Sequence, residues 1–400
     1  MRAFRPLTAL AATAALLLTA ACSSSTGGDF AAQGINPPKI PMRQSLGQGE
    51  GTVNIVAWAG YVEYGQDSKT VDWVTPFTQQ TGCKVNLKVA GTSDEMVALM
   101  KTGQYDTVSA SGDATLRLIA AGDVAPVNTE LVPNYATIYP DLKVQPWNSV
   151  GGVPYGVPHG RGANLLMYNE AKVSPAPTSW GTVFDSDPRY AGHLTAYDSA
   201  IYIADAALYL MKTQPSLGIK NPYALTRSQL DQAVALLKGQ KKNISSYWND
   251  YTKAQAAFDS GDYWLGTTWE VIHQAVAADG KVKTAAVLPS EGATGWSDTW
   301  MVSAHAQHPD CAYKWMDYIV SPTVNAQVAE YFGEAPANSQ ACSSIKDNPN
   351  FCADYHAADE SWWKNVYFWN TPTRQCVDGS GKDDCTDYAQ WVTAWNEIKS

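Results

Sequence analysis

Residues 295–300 place an indole two positions before a carboxylate. If this segment is extended, the two-residue period of a strand puts Trp296 and Asp298 on the same face. That face then offers a π surface, which attracts cations, beside a negative charge that accepts N–H hydrogen bonds. Together these two groups suit the binding of an amine. The alternative interpretation is a Trp packed in a core and an Asp in a turn.

The N-terminal residues 1–21 have the pattern of an export signal. Arg2 and Arg5 provide a positive start, and the apolar stretch that follows is too short to span a bilayer comfortably. The stretch ends at Cys22, which resembles the bacterial lipoprotein cleavage box, where the Cys is lipidated and becomes the first mature residue. A soluble secreted protein is the alternative. Residues 22–51 predict a flexible tether, and we expect the mature protein on the outer face of the cell membrane, in the periplasm or at the cell surface.

Composition limits the possible partners of the chain. From about residue 52 it is long enough for two domains. Loss of Arg2 and Arg5 takes the net charge from −10 to −12. An acidic chain without basic runs argues against binding to nucleic acid or to anionic membranes. The 15 Trp and 21 Tyr residues suggest a ligand surface built from aromatic side chains, and a Trp-rich core is the alternative.

Six cysteines remain when Cys22 is set aside. An even number in an exported protein predicts disulfides, and six cysteines allow fifteen pairings. The favoured pairing joins cysteines that are close in sequence and leaves the last two for each other: Cys376–Cys385, Cys342–Cys352 and Cys83–Cys311. No paired C-x-x-C spacing is present, so we predict no metal site.

The first part of the folded chain alternates between strand and helix patterns. Strands are predicted over 53–58, 85–89 and 105–110, and helices over about 68–80, 93–102 and 113–121. Pro76 should kink or shorten the first helix. This order predicts a doubly wound parallel sheet, in which ligands bind beyond the carboxyl ends of the strands. Four side chains fall at such ends: Trp58, Tyr61, Ser111 and Asp113.

After a connecting segment at 151–158 the alternation resumes. Strands are predicted over 163–168, up to about 198, and over 264–269, with helices over about 200–212, 228–238 and after 270. Residues 282–288 are expected to cross back toward the first unit.

The order of these segments resembles the type II extracellular solute-binding proteins of ABC importers, and among them the spermidine/putrescine-binding periplasmic protein family. The resemblance covers about residues 53–338, and more weakly extends to 370. It rests on the order and spacing of short motifs: Trp58-Ala-Gly-Tyr61, Tyr105-Asp106 with Ser111, Val157-Pro158, Gly266-Thr-Thr-Trp269, Glu291-Gly292 with Trp296-Ser297-Asp298, and Gly333-Glu334-Ala-Pro336-Ala-Asn338.

The resemblance implies a two-lobed α/β fold, with a mainly parallel sheet flanked by helices in each lobe and the ligand in the cleft between them. Lobe 1 is expected to contain residues 52–158 and about 290–340, and lobe 2 residues 159–289 and about 341–400. The resemblance also implies a monomeric protein that is not an enzyme and uses no cofactor. It would capture a small polyamine-like cation and deliver it to an ABC permease.

The resemblance also implies a set of ligand-binding residues. The aromatic cage falls on Trp58, Tyr61, Trp269 and Trp296, the amine-binding aspartate on Asp298, a small polar contact on Ser111 and an acidic ligand of the second lobe on Asp198. Four further positions depart from the family pattern in residue type and are kept as expected ligand contacts: Asp113, Arg161, Glu334 and Asn370. Arg161 is expected to pair with Asp198, with Glu334 or with a carboxylate of the ligand.

Other functions remain open at this point. If Arg161 binds a ligand carboxylate, the same scaffold binds an amino acid or another zwitterion, and a sugar is a further possibility. A secreted glycosidase is the alternative from another class, with Asp298 and either Glu291 or Glu270 as its acid and base.

Overall fold

The computed structural model describes residues 35–66, 68–346 and 348–400. The predicted export signal, the predicted lipidation site Cys22 and the first part of the predicted tether lie outside these ranges. Among the residues described, no helix combines the length and the apolar composition that crossing a bilayer requires.

Fourteen strands are described, and they form two larger sheets and one hairpin. In chain order they are β1 (Thr52–Ala57), β2 (Lys84–Val89), β3 (Thr107–Ala110), β4 (Ser149–Val150), β5 (Val153–Pro154), β6 (Val157–Ala163), β7 (Leu165–Asn169), β8 (Leu194–Tyr197), β9 (Ile244–Trp248), β10 (Leu265–Thr268), β11 (Thr284–Val287), β12 (Ala293–Val302), β13 (Ala335–Pro336) and β14 (Val366–Phe368).

Helices cover the sheets and follow the strands in the predicted alternation. In chain order the α-helices of the described residues are α1 (Val74–Thr81), α2 (Ser93–Met100), α3 (Gly112–Ala121), α4 (Gly181–Phe184), α5 (Ile203–Thr213), α6 (Arg227–Gln240), α7 (Tyr251–Asp259), α8 (Glu270–Asp279), α9 (Pro309–Ile319), α10 (Pro322–Phe332), α11 (Phe351–Asp354), α12 (Glu360–Trp363) and α13 (Tyr388–Lys399).

The first sheet has the order β13-β6-β12-β3-β1-β2, with β14 paired to the start of β12. Its neighbours β1, β2 and β3 are parallel, whereas β12 runs antiparallel to both β3 and β6. The second sheet has the order β11-β7-β10-β8-β9 and combines parallel and antiparallel pairs in the same way. The fold is therefore two α/β lobes, and the parallel pairs are those built by consecutive strand–helix units.

The chain passes between the sheets at two places that later position the site. It enters the second sheet at Asn164, between β6 and β7, and returns between β11 and β12. The lobe boundaries stay a prediction, with two differences in sheet membership. Strand β6 extends past residue 158 within the first sheet, and β14 belongs to that sheet although it follows residue 341. Helix α13, by contrast, packs on α6 beside the second sheet.

Helix α1 begins at Val74, six residues later than predicted. Residues 68–73 form a turn instead, which a backbone bridge between Tyr64 and Asp72 closes. Pro76 therefore lies in the first turn of α1, where a missing N–H breaks no helical hydrogen bond. The helix ends at Thr81, and the following Gly82 has a φ of 72°, which is left-handed and suits glycine.

Residues 35–51, predicted as part of a flexible tether, are instead bound to the first lobe. Arg43 forms an ion pair with Asp310. The carboxylate of Glu50 accepts hydrogen bonds of 2.9 and 3.0 Å from the backbone N–H groups of Asp310 and Cys311, at the start of α9. A carboxylate at a helix N-terminus is electrostatically favourable, and these contacts correct the prediction for this part of the segment.

The structure contains the three disulfides in the favoured pairing. Their Cα–Cα distances are 5.8, 6.0 and 5.2 Å for Cys83–Cys311, Cys342–Cys352 and Cys376–Cys385, respectively. The first links the start of β2 to α9, and the other two lie in the C-terminal part of the chain.

Candidate ligand-binding site

A small chamber lies between the lobes, and aromatic rings form most of its wall. It is lined by Trp58, Ser111, Trp269, Trp296, Asp298, Phe332 and Trp369. Its volume is about 10 Å³, close to what one water molecule occupies. Among the described residues that line it, Asp298 is the only charged side chain, and it is 3% exposed.

Strand ends bring the chamber residues together. Trp58 and Ser111 follow β1 and β3, two neighbouring parallel strands whose carboxyl ends share one edge of the first sheet. Trp269 follows β10 in the second sheet. Trp296 and Asp298 lie two residues apart on β12 and both line the chamber, as the strand period predicts.

Close packing fixes the ring of Trp296. Its centroid lies 6.1 Å from that of Trp269 and 6.0 Å from that of Phe332, both in edge-to-face geometry. The opposite strand β6 approaches through Gly162, where a Cβ atom would lie 2.3 Å from the indole. A glycine is therefore needed at this position for the ring to lie where it does.

Hydrogen bonds orient the carboxylate of Asp298. One oxygen accepts from the hydroxyl of Ser111, and the other lies 2.7 Å from the hydroxyl of Tyr61. Burial raises the pKa of Asp298 to about 6, and the hydrogen bonds from Ser111 and Tyr61 oppose that rise. The group is therefore largely ionised at neutral pH. No Lys or Arg among the described residues forms an ion pair with it.

A second carboxyl lies behind the first. The hydroxyl of Tyr61 is 2.8 Å from Glu334, which is 1% exposed, and the Nε2 atom of His159 is 3.4 Å from the other Glu334 oxygen. Burial raises the pKa of Glu334 well above its usual range, and the charge of Asp298 adds to this effect. Burial also lowers the pKa of His159 to about 3, so its contact with Glu334 is not an ion pair.

Asp198, expected as a ligand contact, does not line the chamber. Its carboxylate accepts a hydrogen bond of 3.0 Å from the indole N–H of Trp395 and one of 2.7 Å from the ammonium of Lys399, both on α13. The C-terminal helix thus supplies the partners of this acid.

Arg161 also differs from expectation, because it pairs with neither Asp198 nor Glu334. Its guanidinium donates to Asp141 at 2.5 Å and to the carbonyl oxygen of Ala357 at 3.1 Å, and it stacks 4.3 Å from the ring centre of Trp363. The C-terminal segment supplies two of these contacts. Arg161 lines a neighbouring cavity of about 210 Å³, to which Trp296 and Glu334 also contribute, rather than the aromatic chamber.

Asp113 and Asn370 lie beside the chamber without lining it. Asp113, in the first turn of α3, accepts a hydrogen bond of 2.8 Å from Ser93, and burial raises its pKa to about 7. Asn370 accepts a hydrogen bond from the backbone N–H of Thr371. Of the predicted residues, the structure brings five to the chamber wall and two, Tyr61 and Glu334, directly behind Asp298.

Sequence reasoning missed two rings of the chamber. Phe332 is the last residue of α10, immediately before the motif that contains Glu334. Trp369 follows β14 and immediately precedes Asn370, which the sequence singled out instead. Both are aromatic residues next to predicted positions, and that adjacency was the available signal.

A wider groove continues from the chamber, because Trp58, Trp269 and Phe332 form walls of both. Its volume is about 460 Å³. Its charged lining residues are Glu95, Asp250 and Lys253, and the backbone around 89–92 and 249–253 forms its sides. The groove can hold the remainder of a molecule whose end lies in the chamber.

Two α/β lobes joined by crossing strands, with a closed aromatic chamber between them, are the architecture of an extracellular solute-binding protein. The chain belongs to the family described as bacterial extracellular solute-binding protein, whose model matches residues 72–353.

Curated relatives and solved structures agree with this membership. The spermidine/putrescine-binding periplasmic protein of Escherichia coli strain K12 is 26% identical over 322 residues, which cover 78% of this chain and 86% of the relative. The spermidine/putrescine ABC transporter substrate-binding protein PotD of Streptococcus pneumoniae has a similar fold, with a TM-score of 0.65 at 18% identity, covering 87% of this chain and 97% of that one. MotA of A. tumefaciens B6, solved in complex with glucopine, has a TM-score of 0.68 at 18% identity and covers 87% and 100%. The same fold thus serves proteins named for different ligands.

Proposed function

We propose that this protein captures an organic amine of the polyamine class, such as putrescine or spermidine, in the aromatic chamber and delivers it to an ABC permease in the membrane. The observation that carries the proposal is the carboxylate of Asp298, which is 3% exposed, ringed by indoles and without an ion-pair partner among the described residues. A buried carboxylate is costly unless a cation compensates it, and here the ligand would supply that cation.

The magnitudes are sufficient for tight capture. A charge-assisted hydrogen bond contributes about 1.5–3 kcal/mol, and a desolvated cation–π contact contributes up to about 2 kcal/mol. Micromolar affinity requires roughly 8 kcal/mol net. One carboxylate and several rings approach this value, provided that the lobes hold the site preformed.

The chamber wall contains residues from both lobes, and this supports a role in transport. Asp298 and Trp58 belong to elements of the first sheet and Trp269 to the second. A ligand that contacts both would favour the closed over the open arrangement, and a permease can recognise the closed form. Export and lipid attachment at Cys22 remain part of this proposal.

The chemistry of the lining argues against the alternatives. A zwitterion needs a cationic partner, and no Lys, Arg or His is part of the described chamber wall. In the described lining of the groove the cation is Lys253, which lies 4.0 Å from the carboxylate of Asp250. Apart from indole N–H groups, Ser111 and Asp298 provide the only hydrogen-bonding side chains in the described wall. A sugar hydroxyl needs an acceptor as well as a donor, and both Ser111 and Asp298 are already hydrogen-bonded. The carboxylates that a glycosidase would need are engaged elsewhere, Glu291 with Ser179 and Glu270 with Gln274.

The test is a titration of the exported chain without Cys22 against putrescine, spermidine, agmatine and γ-aminobutyrate. Tryptophan fluorescence and calorimetry are the readouts. We expect saturable binding of putrescine or spermidine and no response to γ-aminobutyrate. Binding of γ-aminobutyrate alone would replace the amine with a zwitterion as the ligand.

We expect Trp269→Phe to weaken amine binding about two- to tenfold, the value of one buried hydrogen bond. The indole N–H of Trp269 donates to the side chain of Asn164 at 3.0 Å, and Asn164 lies where the chain crosses between the sheets. The bond therefore connects the chamber wall to a crossing segment. The measurement is the calorimetric Kd.

Trp248→Phe is the matched control, because its ring lies 4.9 Å from that of Trp269 and its indole N–H has no hydrogen-bond partner among the described residues. An equal loss of affinity in both variants would show that ring size, not the hydrogen bond, matters.

A further inference from the structure

The hydroxyl of Tyr61 lies between two buried carboxyls, and this arrangement determines how many protons the three groups hold. It is 2.7 Å from Asp298 and 2.8 Å from Glu334, both hydrogen-bond distances. A phenol carries one proton and can donate to only one of them. The second contact is a hydrogen bond only if that carboxyl is itself protonated and donates to the phenol oxygen. The three groups therefore share at least two protons.

The environment of each carboxyl decides which one holds the extra proton. Asp298 accepts a hydrogen bond from Ser111 as well as one from Tyr61, and donors of this kind favour the charged form. The second oxygen of Glu334 has no hydrogen-bond partner among the described residues. Burial raises the pKa of Glu334 well above its usual range, while that of Asp298 rises only to about 6.

Among the residues that the structure describes, no Lys or Arg forms an ion pair with either carboxyl. The titratable side chains that interact with the pair from adjoining elements are uncharged at neutral pH, and they are Tyr61, His159, Tyr197 and Tyr355. Arg161, which follows His159 by two residues on β6, lines the same cavity as Glu334, but its guanidinium forms an ion pair with Asp141. The pair thus carries one negative charge.

We propose that Glu334 is a positioning residue that remains a neutral carboxylic acid, donates through Tyr61 toward Asp298, and so limits the chamber to one buried ammonium group. This inference rests on the proposed function. The ligand is then an amine with one cationic end in the chamber of about 10 Å³ and a chain that continues into the groove of about 460 Å³. The chamber itself requires no second ammonium at the distal end, whereas Glu95 and Asp250 in the groove disfavour a distal carboxylate such as that of γ-aminobutyrate.

Substitutions at Glu334 separate a neutral acid from a charged ligand contact. We expect Glu334→Ala to lower the affinity for putrescine at least about tenfold. The Tyr61 hydroxyl would lose the hydrogen bond that it accepts from Glu334, and it would then no longer be held in place to orient the carboxylate of Asp298. Glu334→Gln should recover affinity to within about threefold of the wild type, since its amide N–H replaces the acid O–H. If Glu334→Gln loses as much affinity as Glu334→Ala, the charge of Glu334 is required and the inference is overturned.

Proton release on binding provides a second readout. At pH 7.5, calorimetry in buffers of different ionisation enthalpy should give close to zero protons released per putrescine bound, since Asp298 is already ionised and Glu334 keeps its proton. Release close to one proton would mean that Glu334 ionises, against the inference.

N-acetylputrescine, which has a single ammonium, should bind within about tenfold of putrescine. A loss of affinity beyond about 100-fold would show that the site recognises both ammonium groups of putrescine, against the inference.

A ligand-free measurement separates this inference from the proposed function. The infrared difference spectrum of the wild type minus Glu334→Gln at pH 7.5 should contain the C=O stretch of a protonated carboxylic acid. Its absence, with a carboxylate band in its place, would overturn the inference whether or not any amine binds. Failure of all the amines to bind, with the acid band present, would overturn the proposed function alone.

Discussion

Asp298→Asn is expected to lower the affinity for putrescine or spermidine about 10- to 150-fold, which corresponds to the roughly 1.5–3 kcal/mol of one charge-assisted hydrogen bond. Asparagine keeps the shape of the side chain and its contacts with Ser111 and Tyr61, but removes the negative charge that faces the ligand. The measurement is the calorimetric Kd at pH 7.5. Asp123→Asn is the matched control, because Asp123 is buried in the same lobe and does not line the chamber.

The pH dependence of binding should identify the same group. An amine binds the ionised form of Asp298, and burial raises the pKa of this carboxyl to about 6. Affinity should therefore be constant above about pH 7 and fall about tenfold for each pH unit below 6. The slope should disappear in Asp298→Asn. An unchanged Kd, or an unchanged pH slope in the variant, would remove Asp298 from the site.

Asp205→Asn is expected to stabilise the ligand-free protein at pH 7 by up to about 4 kcal/mol, which is roughly three pH units at 1.36 kcal/mol each. Asp205 lies in α5, is 2% exposed, and burial raises its pKa from 3.8 to about 8. Folding at pH 7 must therefore transfer a proton onto this group. Asparagine needs no proton.

The direction of the pKa shift determines how the stabilisation by Asp205→Asn depends on pH. The pKa of Asp205 is raised in the folded state, so its contribution to stability is complete below about pH 3.8 and is lost as the pH rises toward 8. The stabilisation by Asp205→Asn should accordingly vanish near pH 4. Urea unfolding at pH 4 and pH 7 measures the difference.

Asp231→Asn is the control for this effect, since Asp231 is exposed on α6 and forms a surface ion pair with Arg227 four residues earlier. Its effect should stay within about 0.5 kcal/mol at both pH values. Equal changes for Asp205→Asn at pH 4 and pH 7, or a loss of stability at both, would contradict the prediction.

Local patterns predicted the parts of the site that depend on local geometry. Trp296 and Asp298 share a face because a strand has a period of two, and Trp58 and Ser111 meet because parallel strands end at one edge. The two-lobed fold followed from the alternation of strands and helices together with the family resemblance. These inferences need only the residues of one element and its neighbours.

Contacts from distant segments could not be predicted in this way. The partners of Asp198 are Trp395 and Lys399, about two hundred residues later in the chain. Arg161 is likewise held by the carbonyl oxygen of Ala357. Each acid or guanidinium had several chemically suitable partners in the sequence, and only the course of the C-terminal segment decides among them.

The antiparallel pairs of both sheets belong to the same group of non-local effects. Strand β12 returns from the second sheet and inserts between β3 and β6, so its direction depends on the route of the chain. The predicted start of α1 was wrong for a more local reason, because the turn at 68–73 competes with the helix pattern.

The closed chamber also determines when a ligand can leave. With about 10 Å³ between bulky rings, an ammonium group held there can leave only through the groove, past Trp58 after β1 and Trp269 after β10, and we expect this passage to widen when the lobes separate. The rate of lobe opening would then set an upper limit on the dissociation rate for every amine, whatever its affinity. A permease that pulls the lobes apart could release the cargo without competing for it. The timing of delivery would thus belong to the membrane partner, and the binding protein would act as a container that this partner opens.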